Sequence, residues 1–121
     1  MAEPIRFSDV PDANPFPDFP GVVSKLVMNK EKGAAAITVG ELRIAAGRTL
    51  PLHVHKVEEA LVFISGEAAV EVDGKVTHVK PLSVLLAPAG TRHTVRNVGT
   101  DELRIIFFFP AVEVERIIVE Q

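Results

Sequence analysis

The sequence contains no cysteine. It can therefore form no disulfide, thiolate metal site or cysteine nucleophile, and any metal it binds must be held by imidazole and carboxylate groups. Cationic surface is also scarce: 13 lysines and arginines face 16 acidic residues, for a net charge of −3, and the basic residues are scattered. The footprint that neutralises a phosphate backbone is missing, so no nucleic-acid partner is expected. No apolar run approaches the length that spans a bilayer, and the start, MAEPIRFSDV, has neither the basic residues nor the apolar stretch of a secretory signal. A cytoplasmic protein with no membrane partner is the expectation. Helical periodicity of ordinary length and internal repeats are absent too.

What is present fits one domain. The 121 residues are 47% apolar and 24% charged, an ordinary globular balance rather than that of a disordered chain. Residues 1–20 carry Pro4, Pro11, Pro15, Pro17 and Pro20, each with a fixed φ and no N–H to donate, which predicts an extended arm. Its Phe7, Phe16 and Phe19 either rest on the domain or dock on a partner subunit. Residues 21–121 form the domain proper, where segments rich in Val, Ile, Leu and Phe recur between Gly, Pro, Asp and Asn, the rhythm of an all-β sandwich or barrel. The predicted strands are Gly21–Met28, Ala35–Ala45, His53–Val54, Glu59–Ile64, Ala68–Val72, Lys75–Lys80, Ser83–Ala87, His93–Asn97 and Leu103–Phe109. Asp73-Gly74 predicts a two-residue hairpin turn. The tail AVEVERIIVEQ, after Pro110, reads as a further strand, at an edge, or as a short helix.

Two of only four histidines stand one residue apart in LPLHVHKVEEALVFISGE. Side chains two apart on a strand share a face, so His53 and His55 point the same way. A turn through Lys56-Val57-Glu58 into a neighbouring strand brings Glu59 beside them and leaves Glu58 solvated. His-x-His-x3-Glu is thus a spacing with which a β scaffold presents two imidazoles and a carboxylate to a divalent ion at about 2.0–2.2 Å.

Gly47 and Gly66 frame this stretch, and a second block, PAGTRHTVRN, brings His93 after a Pro-x-Gly turn. From about Ala35 to Pro110 the chain resembles the cupin superfamily, specifically its small single-domain members. G-x5-H-x-H-x3-E-x6-G is matched throughout, and G-x5-P-x-G-x2-H-x3-N is matched except at its first glycine, where Leu82 stands; that turn is expected to adopt a conformation open to leucine. The resemblance implies a double-stranded β-helix, an antiparallel jelly-roll barrel. It also implies that His53, His55, Glu59 and His93 converge on one divalent transition metal per chain: Fe, Mn, Ni, Co, Cu or Zn. Small cupins commonly form homodimers, by packed sheets or exchanged arms, and that is expected here.

Three neutral imidazoles and one carboxylate around a divalent ion leave a formal charge of about +1, a Lewis acid suited to an anionic or chelating small molecule. The expectation is a metal-dependent enzyme on a small organic substrate, with oxidoreductase chemistry of dioxygenase type ahead of lyase, isomerase or hydrolase chemistry. The alternative is a non-catalytic ligand-binding or sensor module. With no tyrosine, the phenol that some cupin lyases use is absent, leaving Glu59 or metal-activated water as the base. By strand parity Phe63 and Val95 line the cavity; Val57, Leu85, Ile106 and Phe108 are further candidates whose facing parity does not settle. Arg43 either grips a carboxylate inside the barrel or sits solvated outside it. Arg92, Arg96 and His78 are expected at the surface.

Overall fold

Alternation decides which side of each strand is inside. Along Leu103–Phe109, residues 103, 105, 107 and 109 are buried while those between them are not, as expected of a sheet with one covered face. The computed structural model describes residues 3–119. Within them the strands are β1 (Val22–Met28), β2 (Thr38–Ile44), β3 (His53–Val54), β4 (Glu59–Ser65), β5 (Ala68–Val72), β6 (Lys75–Val79), β7 (Ser83–Ala87), β8 (His93–Asn97), β9 (Leu103–Phe109) and β10 (Ile117–Ile118). They form two antiparallel sheets, ordered β1-β2-β9-β4-β7 and β10-β3-β8-β5-β6. Successive strands such as β3 and β4 lie in different sheets, the mark of a jelly roll. The inner faces meet in a core that includes Ile44, Leu61, Phe63, Val70, Val95, Leu103 and Ile105, each worth about 1.5–3 kcal/mol on burial.

Local chemistry sets the turns. Asp73 and Gly74 both have positive φ, 48° and 85°, and Val72 pairs with Lys75 across them, the hairpin geometry that Asp-Gly favours. Leu82 departs from expectation. It has φ 63° and so keeps the left-handed conformation of the glycine it replaces, with its side chain 86% exposed. Gly40, which no motif singles out, is required sterically: opposite Phe107 in the register, it would place a Cβ into Cζ and Cε1 of that ring and 2.6 Å from Cε2.

The proline-rich arm packs on the barrel of its own chain. On β1, Lys25 Nζ donates to the carbonyls of Phe7 (2.8 Å) and Val10 (2.9 Å) and pairs with Asp12 (3.2 Å) and Glu41 (3.5 Å). Arg104 lies over the Phe7 ring, the Ser24 N–H donates to the Ala13 carbonyl, and Phe16 joins the core. At the other end the expected strand shrinks to Ile117–Ile118, paired with His53 and Val54 at the edge of the second sheet. Residues 111–116 are irregular, and their carbonyls take other work: Ala111 accepts from the Thr38 hydroxyl and Glu115 from His55. The last two residues of the expected strand, Glu120 and Gln121, lie outside the described residues.

Candidate metal centre

The two sheets contribute unequally to one buried point. His53 on β3 sits opposite His93 on β8 in the register, His55 follows just past the end of β3, and Glu59 opens β4 in the facing sheet. The carboxylate thus comes across the barrel, not from a neighbouring strand as the short turn suggested. All four side chains are buried, and one ligand atom from each lies within 4.8 Å of the others. The hydrogen bond from Gly90 N–H to the His55 carbonyl (2.8 Å) ties the loop before His93 to the first motif.

Backbone carbonyls set the direction of each ring. The Nδ1 atoms of His53, His55 and His93 contact the carbonyls of Pro51 (2.8 Å), Glu115 (2.8 Å) and Thr91 (3.2 Å). A carbonyl only accepts, so each Nδ1 carries the proton and each Nε2 keeps a lone pair. Nε2 of His93 then faces Glu59 Oε1 at 3.0 Å, with Nε2 of His55 at 3.7 Å from the same oxygen. Acceptors this close require a cation, a proton or a metal ion, and the set fits a divalent ion of imidazole-and-carboxylate preference. Burial, joined by the nearby His93, pulls the His53 pKa down to about 3. Burial also lowers His55, against the opposing pull of Glu59. Both are held neutral, the form that binds metal.

Around the ligands lies a cavity of about 20 Å³, room for about one water molecule. Its walls include Leu42, Leu50, Phe107 and Phe109, with Phe16 from the arm and Ser24 and Arg116 completing them. Phe109 stands edge-on to His55 at 4.8 Å between ring centroids, and Phe16 lies 6.5 Å from His53. Wider surface clefts, such as that of about 290 Å³ beside Lys56, Val57 and Glu113, contain no comparable cluster among the described residues.

The remaining sequence candidates disperse. Phe63 and Val95 face inward and are packed in the core, but neither lines the cavity. Phe108 is on the outer face, 40% exposed, because its neighbours Phe107 and Phe109 take the inward positions. Arg43 alternates with Leu42 and Ile44 and therefore points outward, where it pairs with Asp12 (2.7 Å), Glu41 (2.7 Å) and Glu102 (3.5 Å). Neither Phe108 nor Arg43 reaches the centre. Val57 and Leu85 pack against the core, partly buried, Ile106 shares the outer face with Phe108, and Glu58, Arg92, Arg96 and His78 are exposed. Missed from sequence were Phe16, Ser24, Leu42, Leu50, Phe107, Phe109 and Arg116. Phe16 had a signal in the unusual aromatics of the arm, and Phe107 and Phe109 in their parity once one of the pair is placed; Arg116 had none.

The family model for the cupin domain matches residues 40–109. The chain belongs to the cupin family. Among curated proteins this cupin is 28% identical over 103 residues to polyketide synthase CurC of Streptomyces cyaneus, a match covering 84% of the present chain and 67% of that one. Its fold is similar to that of the polyketide cyclase RemF of Streptomyces resistomycificus, with a TM-score of 0.87, 18% identity, and coverage of 100% of this chain and 87% of that one. Oxalate decarboxylase of Lactobacillus farciminis is also similar in fold, with a TM-score of 0.82 and 20% identity over 93% of this chain and 34% of that one. Among the described residues no helix is long and apolar enough to cross a membrane.

Proposed function

We propose that this cupin is a metal-dependent enzyme acting on a small oxygen-rich organic substrate of polyketide type, which it cyclises by carbon–carbon bond formation. The observation that carries the reading is the convergence of three Nε2 atoms and one carboxylate in a small buried cavity. The relative named as a polyketide synthase supports the substrate class. A bound divalent ion supplies Lewis acidity, polarising a carbonyl oxygen and stabilising negative charge on it. The residues do the rest. Glu59, the one carboxylate of the cluster, can take a proton from a carbon flanked by carbonyls, which then bonds to a second carbonyl carbon, and return it to that carbonyl's oxygen as a hydroxyl; a second proton moved from the same carbon to the hydroxyl breaks the C–O bond, forms the ring double bond and releases water. Leu42, Leu50, Phe107 and Phe109 exclude bulk water, which strengthens every electrostatic interaction inside.

Oxygen-dependent redox chemistry at the same centre is the second reading. It is favoured by the cavity volume, which without opening admits nothing larger than a water or dioxygen molecule, and by a ligand set that suits iron or manganese. The deciding experiment is elemental analysis, followed by incubation of the metal-loaded protein with synthetic polyketide-like diketones with and without oxygen. Cyclised product in equal yield under both conditions supports the first reading. Oxygen consumed in step with substrate supports the second. Binding without turnover leaves a ligand-binding module, and a protein that takes up no metal overturns both enzymatic readings.

The functional unit is a homodimer in this proposal. On the outer face of the first sheet, Val84 and Leu86 of edge strand β7 and Phe108 of β9 are exposed, with Ala60 and Val62 of β4 between them in register. An apolar edge of this kind favours a second copy. Light scattering on the protein and on Leu86→Glu tests it: a dimer that the substitution converts to monomer is expected, and a monomeric wild type refutes it.

A further inference from the structure

Four cations pack against the barrel, and three of them are matched. Lys25 pairs with Asp12 and Glu41, Arg43 with Asp12, Glu41 and Glu102, and Arg104 with Glu41. Arg116 differs from all of these. It lines the cavity together with His53, His55 and Glu59, yet no carboxylate among the described residues lies within ion-pair distance of it. Its one hydrogen bond is a long contact with Ser24 Oγ (3.5 Å), and its guanidinium lies over the face of Phe16 at 5.1 Å. Burial is the largest influence on it and lowers its pKa, partly offset by the charge of Glu59, but a guanidinium stays protonated throughout the physiological range. Among the described residues no other acceptor takes its guanidinium N–H groups, which leaves them available to a bound anion.

We infer that Arg116 is the anion receptor of the cavity, recognising a carboxylate or similarly delocalised oxygen anion on the substrate. The inference rests on the reading of this cavity as the substrate site and narrows the substrate class to organic anions. A guanidinium offers a planar fork that matches a carboxylate bidentately, which an ammonium does not. The Phe16 ring beneath it fixes the plane of that fork. Because the enclosed space is about 20 Å³, an organic anion is accommodated only if lining side chains shift, so binding is coupled to their rearrangement.

The test uses cobalt(II)-loaded and metal-free protein, with acetate and benzoate as anionic probes and acetamide as the neutral control. Calorimetry on the loaded protein should show acetate binding at least tenfold tighter than acetamide. Arg116→Gln should weaken acetate about tenfold or more, as expected for a hydrogen bond to a charged group, with cobalt content and acetamide binding unchanged. Lys75→Gln, an equal charge change on exposed β6, should leave all three unchanged. In metal-free wild type the NMR resonance of the Arg116 Nε–H should shift with acetate and saturate, a readout that needs no variant to fold. Acetate affinity within twofold of wild type in Arg116→Gln, or an Arg116 resonance that does not move, overturns the inference. The failures are separable: a protein that refuses cobalt while its Arg116 resonance titrates loses the metal reading, and one that takes up cobalt with a silent Arg116 loses only the anion receptor.

Discussion

Replacing Gly40 by alanine should destabilise the protein, and the sign of the effect is what makes the experiment informative. In an unobstructed strand alanine is favoured over glycine by about 0.5–1 kcal/mol, because glycine loses more conformational freedom on folding. Here the added Cβ stands 2.6 Å from Phe107 Cε2 and meets two other ring carbons more closely still. Phe107 is buried and has Phe109 at 5.5 Å between ring centroids, so it cannot swing aside freely. With three ring carbons this close the overpacking falls in the upper part of the usual range, about 2–3 kcal/mol, leaving a net loss of about 1–2.5 kcal/mol after the propensity gain. At about 4 °C per kcal/mol for a domain of this size, Gly40→Ala should lower Tm by about 4–10 °C. Urea unfolding of Gly40→Ala, Phe107→Leu and the double variant closes the cycle. The smaller side chain should relieve the clash, so the double variant should be more stable than the sum of the singles predicts by about 1 kcal/mol. Since Phe109 in turn stands against His55, metal affinity should fall in Gly40→Ala and recover in the double variant. A Gly40→Ala protein as stable as wild type, or more stable, refutes the argument.

His55→Ala should leave the protein with far less than one metal per chain, whereas His78→Ala, at an exposed position on β6, should retain wild-type content; full occupancy in His55→Ala would mean the ligands are misassigned. Leu82→Gly should raise stability by about 1 kcal/mol, the cost of holding an L-residue in the left-handed region, and Leu82→Val should lower it; thermal melts with the reverse order would remove the strain argument. Acid should release the arm. Hydrogen bonds from Arg43 and then Lys25 hold Asp12 below its ordinary 3.8; for Glu41, burial pushes upward but Arg104 and Arg43 outweigh it, leaving it below 4.5. With folded values depressed, the unfolded chain takes up protons first, so this stabilisation is complete above about pH 5 and is lost as pH falls through the folded values. Asp12→Asn should flatten the acid limb of a stability-against-pH curve, and an unchanged limb would show that the ion pairs do not anchor the arm.

Much of the strand pattern was legible because period and spacing encode it directly. Five predicted strands, among them β3, β8 and β9, match the observed limits at both ends, since a turn residue or a change of period marks each boundary. Spacing on a strand suggested His53, His55 and Glu59, and the resemblance to the cupin motifs added His93. The second layer was not legible. Whether Phe107 or Phe108 faces inward depends on which of the two pairs with Gly40, and the sequence carries no mark of that choice. Arg43 looked like a candidate because strand parity alone does not show which face of β2 is covered. Its partner Asp12 belongs to an arm whose docking rests on contacts between residues far apart in the chain. Leu82 shows the opposite limit: a motif glycine can be lost while its φ is kept, because the side chain projects into open space.

Part of the cavity wall lies outside the 40–109 block that defines the family: Phe16 and Ser24 precede it, and Arg116, with the Glu115 carbonyl that orients His55, follows it. The barrel is thus a socket and the two chain ends are its interchangeable fittings. Changes at the two chain ends alone can therefore alter which molecules the cavity accepts. Grafting residues 1–20 and 111–119 onto another small cupin becomes a route to transferring selectivity, provided the graft keeps a carbonyl where Glu115 orients His55.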